Sequence, residues 1–308
     1  MIKALQGRDL LSLADLSRHE LQDLLDLAIQ MKAGVLQPRC QKTLGLLFTK
    51  ASTRTRVSFS VAMYQLGGQV LDLNSMVTHV NRGEPIADTA RVLDRYLDVL
   101  AIRTFAQADL ETYARYAEIP VINALTDSEH PCQVLADLLT VQESFGTCAG
   151  LTLAYLGDGN NMAHSLMLGC ALVGMKIRVA APAEHQPLDR FVARARGLAG
   201  DGAVLTTTDP EVAVRDAQVV YTDVWASMGQ EDEADGRLPR FRPYQVNGGL
   251  LSRADRDAIV LHCLPAHRGE EITAEVLEGK QSRVWDQAEN RLYAQKALLA
   301  SLLGAVGM

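Results

Sequence analysis

Strand-length apolar runs alternate with helix-length segments along this chain, and the alternation runs twice. In the first round, strands are expected at 43–49, 69–73, 99–102 and 121–124. Between them Val57, Val61, Met63 and Leu66 recur at helical spacing until Gly67 and Gly68 supply a stop, 86–96 reads as a helix, and Pro131 sits near another helix start. An amphipathic segment at 15–31, with leucines at 16, 21, 24, 25 and 27, precedes the first strand. At 151 the pattern restarts. Strands follow at 151–156, 177–180, 203–206, 219–222 and 258–262, helices start from about Asn161 and run around 188–198, and Val284 and Trp285 lead to a closing helix from about 291. Such alternation predicts parallel sheets wrapped by helices, because a parallel strand pair needs a crossover long enough to hold a helix. The expected fold class is α/β with two domains, each a mainly parallel sheet flanked by helices. Gly146 marks their boundary, giving 1–146, completed by a C-terminal helix at 291–308, and 147–290.

In open α/β sheets ligands bind beyond the carboxyl ends of the strands. Unusual polar residues follow the strands of this chain repeatedly: Ser52 to Thr55, Arg103, His130, Asn161, Asp223 and the pair His262-Cys263. The richest cluster is Ser52-Thr53-Arg54-Thr55-Arg56, where a strand hands over to a helix. The first backbone N–H groups of a helix are unpaired and its dipole end is positive, so this turn suits a small, highly charged anion. Ser52, Thr53 and Thr55 add side-chain donors, and Arg54 can grip two oxygens of a phosphate at once. The stretch lacks the G-x-x-x-x-G-K-[ST] pattern of a nucleotide-binding P-loop. Arg103 supplies a second clamp. His130, as a neutral imidazole, can donate to a carbonyl oxygen, and Gln133, about one helical turn further on, can accept from an amide N–H.

Three stretches of the second half stand out. Gly157-Asp158-Gly159-Asn160-Asn161-Met162 approaches the dinucleotide fingerprint, but Met162 stands where its third glycine belongs, which leaves a nicotinamide enzyme as the alternative reading. Asp223 follows an apolar strand and precedes a loop carrying Ser227, Met228 and Gly229, an arrangement suited to pairing with an ammonium group while the loop closes over it. His262-Cys263-Leu264-Pro265-Ala266-His267-Arg268-Gly269-Glu270-Glu271 could suggest a metal site, but it has no further Cys or His cluster near it in sequence, so a tetrahedral zinc site is not expected. Neighbours on a strand point to opposite faces, so Cys263 reads as a pocket wall rather than as half of a Cys/His nucleophile pair.

Composition narrows the partners. A net charge of −7 over 308 residues argues against nucleic acid, and no run approaches the length of a membrane span. Five scattered cysteines, at 40, 132, 148, 170 and 263, without a C-x-x-C pair, fit reduced thiols, and charges run through the first 28 residues, so a soluble, cytoplasmic protein is expected.

Taken together, Ser52-Thr53-Arg54-Thr55, Arg103-Thr104, His130-Pro131-Cys132-Gln133, Asp158-Gly159-Asn160-Asn161, Asp223 with Ser227-Met228-Gly229, and His262-Cys263-Leu264-Pro265 resemble the aspartate/ornithine carbamoyltransferase family, and within it the members that act on ornithine. The stretches occur in family order and span nearly the whole chain. The resemblance implies two α/β domains with the active site in the interdomain cleft, a homotrimer or a multiple of trimers, and no metal or organic cofactor. It implies that Ser52, Thr53, Arg54, Thr55, Arg103, His130 and Gln133 bind carbamoyl phosphate in the first domain. It further implies that Cys263, Leu264 and Arg291 complete that site, and that Asn161, Asp223, Ser227 and Met228 hold L-ornithine in the second. Where many ornithine enzymes carry Gln in a Q-x-G-R-G-E segment, this chain has His79-Val80-Asn81-Arg82-Gly83-Glu84.

The reaction so implied is attack by the δ-amine of L-ornithine on the carbonyl carbon of carbamoyl phosphate, giving L-citrulline and phosphate in arginine biosynthesis. Arg103, His130 and Thr55 are then the donors to the developing oxyanion. N-acetylornithine, putrescine and aspartate are the alternative acceptors. Asp223 argues against the acylated one, which lacks the ammonium it would pair with.

Overall fold

The computed structural model describes residues 5–74, 83–226 and 234–306. Its contacts divide the chain into two compact units, one of residues up to Leu139 together with those from Glu289 onward, the other Thr140–Ala288.

The first unit holds a four-stranded parallel sheet of β1 (Thr43–Phe48), β2 (Gln69–Asn74), β3 (Val99–Arg103) and β4 (Val121–Leu125), in the order β2-β1-β3-β4. β3 and β4 are buried at every position and β1 at all but its first, as expected of strands covered on both faces. Helices α1 (Arg18–Lys32), α2 (Arg54–Gln65), α3 (Ile86–Leu93), α4 (Gln107–Tyr116) and the start of α5 (Pro131–Phe145) belong to this unit. A capping box between Ser17 and Glu20 starts α1. Leu110 and Tyr113 of α4 reach the core formed by Leu47, Leu100, Ile102 and Val121, each such side chain adding roughly 1.5–3 kcal/mol.

The second unit contains β5 (Thr152–Leu156), α6 (Asn161–Val173), β6 (Lys176–Ala180), α7 (Asp189–Ala199), β7 (Val204–Thr207), α8 (Pro210–Val214), β8 (Val219–Thr222), α9 (Ala234–Phe241), α10 (Gly248–Leu251), β9 (Ile259–His262) and α11 (Ala274–Leu277). Its five strands are all parallel, in the order β7-β6-β5-β8-β9. The expected α/β class with two mainly parallel sheets is what the chain forms.

Two elements differ from the sequence reading. α4 was not expected, and the last helix, α12 (Val284–Leu302), is continuous from Val284 rather than starting near 291. Val284 and Trp285 look like strand residues, yet Trp285 is 55% exposed and Asp286 occupies the first turn, where a negative charge favours a helix start. The division between the units falls inside α5 and inside α12. Among the described residues no helix is long and apolar enough to cross a membrane.

Candidate active site

In the first sheet the chain proceeds from β1 to β2 on one side and from β3 to β4 on the other, so the order reverses between β1 and β3. A crevice opens at such a switch point beyond the carboxyl ends of the strands. The two ends are tied together: the backbone N–H and the hydroxyl of Thr49 both donate to the Arg103 carbonyl, at 2.9 and 3.1 Å. Arg103 is the last residue of β3 and is buried. Beyond β1, Ser52 is half-buried, Thr53 is exposed, and α2 begins at Arg54. Thr53 occupies the cap position without making a side-chain capping bond, so the helix is not closed by its own cap residue.

Thr55, in the first turn of α2, is 2% exposed. Arg291 of α12 donates from Nη2 to Thr55 Oγ1 at 3.0 Å and from Nη1 to Gln133 Oε1 at 2.5 Å. The Gln133 amide nitrogen donates to Asp137 Oδ1 at 2.8 Å, one turn further along α5. With its carbonyl facing a guanidinium and its NH₂ facing a carboxylate, the Gln133 amide has a single orientation. Because Thr55 Oγ1 accepts from Arg291, its own proton can be donated to a ligand.

His130 immediately precedes α5, and its carbonyl accepts the Gln133 backbone N–H at 3.1 Å. Burial, and after it the positive charges of Arg291, Arg103 and Arg54, push the imidazole well below its ordinary value of 6.5. At neutral pH the ring is uncharged and can donate through one N–H. Burial pushes the neighbouring Cys132 thiol up to about 12, which makes it inert. The structure thus brings Thr55, Gln133 and Arg291 into direct contact and sets His130 under the charges of Arg54, Arg103 and Arg291.

In the second sheet the order reverses between β5 and β8. The turn after β5 and Asp223 after β8 meet there: Asn160 Nδ2 donates to Asp223 Oδ2 at 3.1 Å. Asn160 Oδ1 caps α6, accepting the N–H groups of Met162 and Ala163, and accepts the Tyr155 hydroxyl at 3.2 Å. Burial, with Asp223 and Asp158 adding to it, raises the Tyr155 phenol well above 10, so it stays a donor. Asp223 Oδ1 accepts the Cys263 thiol at 2.9 Å and the Val224 N–H at 2.8 Å. A carboxylate has about four acceptor positions, and three are taken by donors among the described residues.

Asn161, expected to face a ligand, is the half-buried first residue of α6, and its neighbour Asn160 is the one that touches Asp223. Asp158 is engaged by Arg237 at 2.8 Å, and burial raises its pKa against the lowering effect of that guanidinium. The Gly159 N–H donates to the His185 carbonyl at 2.8 Å, and a Cβ on Gly159 would lie 2.3 Å from the Pro187 nitrogen. The turn is therefore packed against 185–187 and its helix start is capped from within, unlike a dinucleotide-binding loop.

His262 and Glu271 are both fully buried, with Nε2 and Oε1 3.0 Å apart. His262 Nδ1 accepts the Leu264 N–H, and Glu271 Oε1 also accepts the His267 N–H, so this pair braces the segment that presents Cys263 and Leu264. Leu264 has a positive φ of 58°. Ligand atoms of Asp223, His262 and Cys263 lie within 4.8 Å of one another, as do those of His267, Glu270 and Glu271. In the first group both ring nitrogens of His262 and the thiol proton of Cys263 are already engaged.

Ser227, Met228 and His79 lie outside the described residues. The residues missed by sequence reasoning are Asp137, Asn160 and Glu271. Asp137 had a signal, since it stands four positions after Gln133 on a helix, where side chains meet.

Two family models match the chain: "Aspartate/ornithine carbamoyltransferase, carbamoyl-P binding domain" over residues 8–143, and "Aspartate/ornithine carbamoyltransferase, Asp/Orn binding domain" over 149–302. A protein from Nostoc punctiforme named ornithine carbamoyltransferase is 71% identical over 303 residues, covering 98% of this chain and 99% of the relative. The crystal structure of ornithine carbamoyltransferase from Gloeobacter violaceus superposes with a TM-score of 0.89 at 59% identity, over 97% of this chain and 100% of that one. The ornithine carbamoyltransferase from Pyrococcus furiosus gives 0.93 at 49% identity, over 99% of each chain.

Proposed function

This chain belongs to the aspartate/ornithine carbamoyltransferase family, and we propose that it transfers the carbamoyl group of carbamoyl phosphate to the δ-amine of L-ornithine, giving L-citrulline and phosphate. The observation that carries the reading is His130, kept neutral among Arg54, Arg103 and Arg291 beside the Thr55–Arg291–Gln133 chain. Such a group of donors suits a doubly charged acyl phosphate whose carbonyl oxygen gains charge during attack.

In this proposal Ser52, Thr53, Arg54 and Thr55 hold the phosphate, and Arg103, His130 and the Thr55 hydroxyl donate to the carbonyl oxygen. Gln133, held by Arg291 and Asp137, accepts from the carbamoyl NH₂. Cys263 and Leu264 complete this set. Asn161 and Asp223 take the amino-acid end of ornithine, with Ser227 and Met228 assigned the same ligand by the family resemblance. Losing one oxyanion donor typically costs about a hundred- to a thousandfold in rate. The amine attacks as the free base, the C–O bond to phosphate breaks, and the departing phosphate is the proposed acceptor of the amine proton. No step calls for a metal or organic cofactor.

The proposal extends to the division of labour: 1–146 with 291–308 for carbamoyl phosphate and 147–290 for ornithine. It also includes a homotrimer or multiple of trimers in the cytoplasm, working in arginine biosynthesis. An assay for the ureido product with L-ornithine, L-aspartate, putrescine and N-acetylornithine tests it. Citrulline from ornithine alone is expected, and a faster reaction with any other acceptor overturns the assignment.

A further inference from the structure

A cavity of about 410 Å³ in the first unit, lined in part by the C-terminal ends of α1 and α2 and by α12, has a charge imbalance that the proposed activity does not use. Among the described residues three cations line it, Lys32, Arg39 and Lys296, and no carboxylate does. Lys32 is compensated at the rim by Asn290 at 2.7 Å and Glu289 at 3.2 Å. Among the described residues the other two meet neutral groups of Gln65 rather than acids. The Lys296 ammonium, on a residue only 7% exposed, donates to the neutral Gln65 Oε1 at 3.0 Å, and Arg39 donates to the Gln65 carbonyl at 3.3 Å. Burial and the Arg39 charge together lower Lys296 below the ordinary lysine value, the mark of a cation short of negative charge. Met31 and the Tyr293 ring, which lies 5.7 Å from the Lys32 ammonium, give the cavity an apolar side.

We propose that this cavity binds a small organic dianion, with its phosphate or paired carboxylates held by Arg39 and Lys296 and a flat apolar body against Tyr293 and Met31. The Arg39 guanidinium matches either oxyanion bidentately, and the incoming charge compensates a largely buried ammonium. The volume exceeds what inorganic phosphate needs, which favours a ligand with a body. The site is separate from the candidate active site yet built on the same two helices: Gln65–Lys296 joins α2 to α12 here, and Thr55–Arg291 joins them there.

Calorimetric titration of the full chain with phenyl phosphate, and separately with phthalate, tests this. At least one of the two is expected to bind saturably, one per chain, and the one that does identifies the head group. Binding should weaken about tenfold or more in Arg39→Gln, the loss of one charge-assisted contact, and should persist in Arg54→Gln. Arg39 is exposed, so its variant folds even if Lys296→Met does not. The proposal is overturned if neither dianion binds, if binding survives Arg39→Gln unchanged, or if Arg54→Gln abolishes it, which would locate the ligand at the other anion site.

Discussion

Arg291 reaches back 236 positions to donate to Thr55 Oγ1 at 3.0 Å, while its other terminal nitrogen holds Gln133. One guanidinium on α12 thereby orients a hydroxyl on α2 and an amide on α5. Truncation in Arg291→Met leaves a buried carbonyl and a buried hydroxyl without their charged partner, at a cost of about 2–4 kcal/mol. Carbamoyl phosphate affinity is expected to fall about ten- to a hundredfold. Lysine at this position can serve one partner at a time, so Arg291→Lys should recover stability more than affinity. Urea denaturation together with the KM for carbamoyl phosphate checks both.

His130 gives a pH signature. Its folded pKa lies below the 6.5 of the unfolded chain, so at pH values under about 6.5 the unfolded state binds the extra proton and the folded state does not. Stability from this group is therefore complete above pH 6.5 and declines as pH falls below it, by up to about 1.4 kcal/mol per pH unit. Denaturation midpoints at pH 5.5 and 7.5, followed by far-ultraviolet circular dichroism, should differ less in His130→Gln than in the parent chain.

The strands that carry the site were legible because they are contiguous apolar runs buried on both faces, as β3 and β5 are. α4 was not, since QADLETYARY buries only Leu110 and Tyr113 and has little apolar periodicity to detect. Within the site, Ser52 to Thr55, Arg103, His130 and Asp223 could be found by their position after strands. Arg291 follows no strand and its partners are 158 and 236 positions away, so only the family resemblance pointed to it. The role of Asp158 was hidden for the same reason, because Arg237 lies 79 residues downstream. Asn160 was passed over for Asn161, since adjacent asparagines differ only in which one caps the helix, and that depends on backbone geometry.

Glu271 supports the Cys263 segment without touching a ligand. In Glu271→Ala the fully buried His262 ring and the part-buried His267 N–H lose their shared charged acceptor, costing about 1.5–3 kcal/mol. Both tryptophans of the chain, Trp225 and Trp285, fall within Thr140–Ala288, so tryptophan fluorescence reports the unfolding of that unit. Its urea midpoint should drop in this variant.

The nucleophile sets a second pH dependence. An alkylamine with a pKa of about 10.4 is unprotonated in roughly one molecule in a few thousand at pH 7, so the apparent affinity for ornithine should improve as pH rises toward 8 or 9. Steady-state KM values across that range check it, and a flat profile in both kinetic constants counts against attack by the free amine.

The central claim is a division of labour between an acyl-phosphate site and an amino-acid site, and steady-state kinetics of Asp223→Asn beside Arg103→Ala test it most directly. Asp223→Asn should raise the KM for ornithine about ten- to a hundredfold with a smaller change in carbamoyl phosphate affinity, through loss of a charge-assisted contact. Arg103→Ala should instead lower kcat about a hundredfold or more and weaken carbamoyl phosphate. The reverse pattern, with Asp223→Asn losing carbamoyl phosphate and Arg103→Ala losing only ornithine, contradicts the account.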